Sequence, residues 1–281
     1  MTAEPAAPHG GPAPTPQPEL NLDWAGYLRA GEYRRALAAA RVGNADMPVQ
    51  DALEVLFDLQ EAVRARRLLV AQRLAERLPD LLNDMGAADA RTLREHAPPD
   101  ALHAALEALL GADRERLSDD AALRERLQPA LTQPLTRAEA LNTLGVLHAL
   151  QDREGQARQS FGEAIAHDPG HYRALTNLGN MALEGGDAAG AETLYRQSIA
   201  LNADYSGAQH NLGVALRRQG RLAESVKAIK KGQRLAVRQS QREQQDELKG
   251  DPRTRKAVQT ARIVMLVLVV IVVLFIVRGH V

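Results

Sequence analysis

An internal repetition constrains this chain more than any other feature of its sequence. A Leu-Gly pair recurs every 34 residues, at Leu144-Gly145, Leu178-Gly179 and Leu212-Gly213. The segments around these pairs, residues 137–169, 171–203 and 205–237, align without a gap. Such a period is typical of stacked helical pairs, in which each unit buries its apolar face against the next one.

Residue size follows the same register. Two small positions and one large position recur: Ala140, Ala174 and Ala208; Ala157, Ala191 and Ser225; Phe161, Tyr195 and Ile229. Small residues allow the two antiparallel helices of a unit to approach closely, and we expect the large residue to fill the space between units. On these residues, positions 137–238 resemble the tetratricopeptide repeat family. The resemblance implies an all-α helical-repeat solenoid of three helix pairs that binds proteins.

The rest of the chain divides by composition. Residues 1–19 are rich in Pro, Ala and Gly, which predicts a mobile tail. Residues 22–135 show helical periodicity, with long runs at 22–42 and 52–78. The stretch AGYLRAGEYRRALAAA resembles the junction of a helix pair, so degenerate helical hairpins are one interpretation of this region. Aromatic residues are only 3% of the chain, which favours helices over strands.

The sequence offers little for catalysis or cofactor binding. It has no cysteine and none of the common metalloprotease, serine hydrolase or nucleotide-binding motifs. His167 and His171 flank an Asp-Pro-Gly turn, so we expect solvent-exposed turn residues and no metal site there. We interpret Gly185, Gly186 and Gly190 as a helix-helix turn with a close-packing site, and not as a phosphate loop. No cofactor and no enzymatic activity are expected, although an enzyme hidden in residues 22–135 remains an alternative.

A concave groove is the binding surface that repeats of this kind provide, lined by the first helix of each pair. The predicted peptide-binding residues are Asn142, Arg173, Asn177, Asn180, His210, Asn211 and Arg217. An amide both donates and accepts hydrogen bonds, so an Asn ladder suits recognition of a peptide backbone. Family members with a carboxylate clamp bind acidic C-terminal peptides here, but only Asn177 matches that clamp. The alternative is that these amides cap or satisfy nearby backbone groups.

The C-terminal end predicts a membrane anchor. Residues 263–277 are uninterruptedly apolar, and the 21 residues from 257 to 277 reach about 31 Å as a helix, enough for a bilayer core. Arg262 and Arg278 can extend to opposite interfaces. A buried core strand or packing inside an oligomer is the alternative. Residues 239–256 are expected to form a polar, basic juxtamembrane linker, and 278–281 a short tail.

Basic residues accumulate toward that end, although the net charge of the chain is zero, which gives no reason to expect a nucleic-acid partner. The predicted membrane-proximal basic residues are Lys227, Lys230, Lys231, Arg253, Arg255, Lys256 and Arg262. They are expected to attract anionic lipid headgroups or an acidic partner, or to form an ordinary solvated face. The excess of basic residues before the span places the repeats on the cytoplasmic side.

These features together predict a single-pass, membrane-anchored adaptor that recruits protein partners through its groove. The alternative is a structural subunit of a membrane protein assembly.

Overall fold

The computed structural model describes residues 22–250, and all regular structure within that range is α-helical. The first nine helices precede the repeats: α1 (Trp24–Arg29), α2 (Tyr33–Val42), α3 (Met47–Arg64), α4 (Leu68–Ala75), α5 (Leu78–Asn83), α6 (Ala87–His96), α7 (Pro99–Glu115), α8 (Asp120–Arg126) and α9 (Gln128–Thr132). Three antiparallel pairs follow: α10 (Pro134–Leu150) with α11 (Glu154–His167), α12 (Tyr172–Glu184) with α13 (Ala188–Leu201), and α14 (Ser206–Arg218) with α15 (Leu222–Gly250).

Each repeat pair turns through one left-handed residue at the same register position. These residues are Asp152, Gly186 and Gly220, with φ of 57°, 86° and 78°. The next residue donates its N–H to the carbonyl five positions earlier, as Asp187 does to Ala182. This bond satisfies a carbonyl at the end of the first helix and stops it.

The α1–α2 and α3–α4 turns have the same geometry. Gly31 and Arg66 are left-handed, with φ of 73° and 56°, and Glu32 and Arg67 donate to Tyr27 and Ala62. The two N-terminal hairpins therefore close with the turn that the repeats use. The run predicted at 52–78 is not one helix, because the left-handed Arg66 divides α3 from α4, and α4 ends before Leu78 begins α5.

The recurring small and large positions meet within each unit. A Cβ atom added to Gly145 would lie 2.6 Å from the Phe161 ring, and one added to Gly179 would lie 2.6 Å from the Tyr195 ring. Such contacts are too close to exist, so glycine is what allows the large residue to lie on the first helix. The large residue therefore packs against the glycine of its own unit, a contact that our expectation of space-filling between units did not include.

The apolar core runs along the stack as a series of adjoining clusters. The first lies among α1 to α7 and includes Leu135 of α10. The second contains residues of α4, α7, α8, α9 and α10, and two more occupy the repeat pairs. Among residues 22–250, no helix combines the length and the apolar character that a membrane crossing requires. The predicted span at 257–277 lies outside the described residues.

Candidate functional site

The asparagines of the first helices contact one another between successive repeats. Asn177 Nδ2 on α12 donates to Asn142 Oδ1 on α10 over 2.8 Å. Asn211 Nδ2 on α14 donates to Asn180 Oδ1 on α12 over 2.7 Å. The predicted ladder is thus a pair of side-chain bridges that link the first helices of three consecutive repeats, α10, α12 and α14.

These amides differ in their access to solvent. Asn142 is fully buried, and its Nδ2 has no partner among the described residues. Asn180 is half-buried, and its Oδ1 also accepts a 2.9 Å hydrogen bond from the Tyr195 hydroxyl. Burial raises the pKa of Tyr195 to about 12, so this hydroxyl remains a donor at neutral pH. Of these four amides, only the half-buried Asn177, Asn180 and Asn211 have access to solvent.

Arg173 belongs to a buried charge cluster that we define by Arg66, Glu139, His171 and Arg173. Glu139 is 1% exposed, and its carboxylate contacts His171 Nε2 at 3.0 Å, Arg66 Nη1 at 3.2 Å and Arg173 Nη1 at 3.4 Å. Burial opposes ionisation of Glu139, but Arg173, the His171 hydrogen bond and Arg66 outweigh it and hold the pKa of this carboxyl below its usual range. Arg173 therefore has an internal partner instead of a free guanidinium in the groove.

A second ion pair joins the same two regions of the chain. Arg64, near the end of α3, donates from Nε and Nη2 to the two Asp168 oxygens over 2.7 and 2.5 Å. Gly170 provides the room, because a Cβ there would overlap the Arg64 guanidinium. The α3–α4 turn is thereby fixed to the α11–α12 turn across 104 positions of sequence.

The environment of His171 corrects an expectation. We predicted a solvent-exposed turn residue, but His171 is 1% exposed. It caps α12, with Nδ1 accepting from the Ala174 N–H at 3.2 Å, and its other ring nitrogen contacts Glu139. Since Glu139 and Arg66 lie far away in sequence, the local Asp-Pro-Gly turn gave no sign of this burial. Among the described residues, no group of three or more His, Asp or Glu side chains could hold a metal ion.

His210 and Arg217 lie apart from the asparagine bridges. Both are exposed, whereas the residues at their register positions in the second repeat, Thr176 and Leu183, are buried. Leu183 packs with Leu212 of the third repeat. His210 and Arg217 therefore occupy the end of the described stack, where no further repeat covers them.

A serine, a histidine and an aspartate also come together. His148 on α10 lies 3.2 Å from Ser160 Oγ on α11 and 2.7 Å from Asp120 Oδ1 at the start of α8. His148 and Ser160 are 3% and 7% exposed, so the hydroxyl is not presented to a substrate. The trio is a polar link between α8 and the first repeat, and its members are too far apart in sequence to form a recognisable motif.

The predicted membrane-proximal basic residues lie partly inside and partly outside the described residues. Lys227, Lys230 and Lys231 are exposed on α15. Arg253, Arg255, Lys256 and Arg262 lie outside the described residues, so their surroundings stay predictions.

Comparison with known proteins agrees with this architecture. The tetratricopeptide repeat family model matches residues 151–206 and 182–236. Residues 151–236 thus match the tetratricopeptide repeat family model, and the described part of the chain is an all-α helical-repeat fold.

Individual relatives are distant. "BBSome complex member bbs-4" of Caenorhabditis elegans is 28% identical over 138 residues, which is 48% of this chain and 29% of that protein. This chain therefore matches less than a third of that relative's length.

Solved structures align at low scores. A MamA crystal structure is 18% identical, with 68% of this chain and 95% of that one covered at a TM-score of 0.39. BtubC from P. vanneervenii is 17% identical, with 75% and 91% covered at 0.40. The pilus biogenesis factor PilW is 14% identical, with 84% and 94% covered at 0.38. At these scores we take no functional inference from the three structures.

Proposed function

We propose that this chain is a non-enzymatic adaptor, anchored in a membrane by residues 257–277, that binds protein partners in the concave groove of its repeats. The observation that carries this proposal is the row of half-buried amides on α12 and α14. Asn177 and Asn211 each use one N–H for the neighbouring repeat. Each amide has a second N–H and an acceptor oxygen besides, which suit the N–H and C=O groups of an extended peptide.

The bridges between the asparagines support this use, because they hold the amides in place before a partner arrives. A fixed amide loses little side-chain entropy when a peptide binds. Asn142 then acts as a support for Asn177 rather than as a contact residue, since it is fully buried.

The proposed location rests on the sequence outside the described residues. The apolar run at 263–277, with Arg262 before it and Arg278 after it, is long enough with its flanks for one span. Arg253, Arg255 and Lys256 add positive charge on the near side, so the repeats are proposed to face the cytoplasm.

A structural subunit of a membrane assembly is the second candidate. The relative from C. elegans is described as a member of a complex, which favours a subunit role for repeats of this type. Chemical crosslinking of gently extracted membranes separates the candidates. An adaptor exchanges among several partners, whereas one complex of fixed stoichiometry supports the subunit.

The groove is tested by proximity labelling in membranes with full-length variants. Asn177→Ala with Asn211→Ala is expected to remove most of the labelled partners. Thr193→Ala with Gln197→Ala, two exposed polar residues on α13, is the matched control and should retain them.

A second groove variant separates binding from stability, since Asn177 and Asn211 also bridge the repeats. Val146 is 36% exposed and has the register position of Asn180, and it makes no side-chain hydrogen bond. Val146→Glu should therefore lower partner capture while the melting temperature changes little. If both groove variants capture the same partners as the unchanged protein, the hypothesis that partners bind in the concave groove is wrong.

A further inference from the structure

The third repeat carries a second groove, which is lined by α13, α14 and α15. It lies between α13 and α15 above α14, is open to solvent and has a volume of about 480 Å³. That volume is within the range of about 300–1,000 Å³ that is typical of ligand sites. The floor is formed by Leu212, Leu216 and Ala228, while Arg196, Lys227 and Lys231 stand at the rim.

The register shows that this groove differs from its counterpart one repeat earlier. Ala228 replaces Leu194, which shortens one wall, and Leu216 replaces Ala182, which enlarges the apolar floor. Charge differs as well, because Lys227 and Lys231 replace Thr193 and Gln197. The third repeat therefore combines a recessed apolar floor with a cationic rim.

Positive charge at the rim is only partly compensated. Glu224 is the acidic residue of the lining, and it binds Arg221 through both oxygens, at 2.8 and 2.7 Å. Arg196 pairs with Glu192 at 2.7 Å. Lys227 and Lys231 are exposed, one helical turn apart, and no salt bridge joins either to another described residue. Two ammonium groups are thus available to a partner.

We propose that this groove binds an acidic segment of a partner protein, which inserts apolar side chains between α13 and α15 and places carboxylates against Lys227 and Lys231. Complementary charge selects an acidic partner and increases its rate of association. The recessed floor favours a protein segment over a lipid surface. Leu212 and Leu216 are only 8% and 2% exposed, so a side chain can reach them from above but a flat bilayer cannot.

The test uses the full-length chain in detergent and a fluorescein-labelled synthetic helix that has two leucines one turn apart, flanked by glutamates. Fluorescence anisotropy should show binding that weakens with salt, and the same peptide with glutamines in place of glutamates should bind at least about tenfold more weakly. Lys227→Glu with Lys231→Glu should weaken binding of the acidic peptide by a similar factor. Ala228→Trp, which fills the groove, should do the same without changing the charge.

The matched control is Lys230→Glu with Arg234→Glu, on the same helix and with the same change of charge but outside the lining. It should bind within about twofold of the unchanged protein. Circular dichroism melting identifies any variant that does not fold. The variants that do fold then decide whether the peptide binds in this groove. Val146→Glu on the concave face should leave this binding unchanged, so failure of the concave groove and failure of this groove are distinguishable.

Three outcomes would overturn the proposal. The first is no preference for glutamate over glutamine in the peptide. The second is an equal loss of binding in the groove variants and the control. The third is displacement of the peptide by phosphatidylserine mixed into the detergent micelles, which would assign the two lysines to lipid.

Discussion

At the scale of single residues, Glu139 is the centre of the buried charge cluster, because three basic side chains contact its carboxylate. A fully buried carboxylate is stable only when charged or hydrogen-bonded partners replace the lost water, and here Arg66, His171 and Arg173 do so. Removal of the charge would leave Arg173 largely buried beside a neutral group. The residue therefore affects the stability of the junction between the α3–α4 turn, α10 and α12.

Glu139→Gln is expected to lower the free energy of unfolding by about 3–5 kcal/mol at neutral pH, because it breaks a buried pair from one side. The pKa of Glu139 is below its ordinary value of 4.5 in the folded protein, so the stabilisation is present above that value and is lost as the pH falls through the lowered pKa. The difference between the two proteins should therefore shrink in acid. Urea unfolding of both full-length proteins at neutral and acidic pH measures it.

The exposed Glu163 on α11 provides the control. Glu163→Gln should change the stability by no more than about 0.5 kcal/mol. A difference between wild type and Glu139→Gln that stays constant with pH would contradict the assigned role of the charge.

The sequence located the asparagines but not their partners. Register placed Asn177 and Asn211 at one position, whereas the hydrogen bonds join Asn142 to Asn177 and Asn180 to Asn211. Equivalent positions define which face a residue occupies. The offset between neighbouring helices decides which side chains contact each other, and this offset is a property of the packed stack.

At the scale of the helical pair, the contact of glycine with the large residue sets how closely the two helices approach. The same contact occurs in the third unit, where a Cβ on Gly213 would lie 2.5 Å from Ile229. The sequence predicted the helical pair, because its small and large positions recur in one register, but it did not predict that the large residue lies against the glycine of its own unit. It did not predict the division of residues 52–78, since left-handed backbone at an arginine has no compositional signal.

Two glycine variants test the packing of the pair. Gly179→Ala should destabilise the protein by about 1–3 kcal/mol, because the added methyl group overlaps the Tyr195 ring. Gly162 on α11 is the matched control, since a Cβ there meets nothing within 4 Å. Gly162→Ala should stabilise the protein by about 0.5–1 kcal/mol through helix propensity alone. Thermal melting measures the change in stability of both variants. If both change the stability by the same amount and in the same direction, the close contact between Gly179 and Tyr195 is refuted.

At the scale of the whole molecule, the described N-terminal helices and the repeats form one continuous stack. The second apolar cluster extends from Leu68 on α4 to Leu147 on α10, and Arg64 pairs with Asp168 across the same junction. Composition could not reveal this junction, because the ion pair spans 104 positions and either member alone reads as an ordinary surface charge. Periodicity predicted the helices on each side and left their association open.

The proposed anchor makes a prediction at the same scale. Val269→Arg with Val270→Arg places two charges at the middle of the apolar run, at a cost of about 2.5–3.5 kcal/mol each for a central position in a spanning helix. The full-length chain should resist alkaline extraction from membranes, and this variant should be released. Val237→Arg on the exposed surface of α15 is the control and should behave like the unchanged protein. Equal extraction of all three proteins would contradict the anchor.

The last helix sets the distance between the repeats and whatever follows them. Gln239 on α15 contacts Ser206 at 2.8 Å, and the helix then continues to Gly250. At a rise of 1.5 Å per residue this extension is about 16 Å long. A continuous helix is a stiff spacer, so it holds Gly250 at a fixed distance and in a fixed direction from the repeats. Each residue added to or removed from this extension would turn the end of the helix by about 100° around its axis, so the chain would leave the repeats in a different direction.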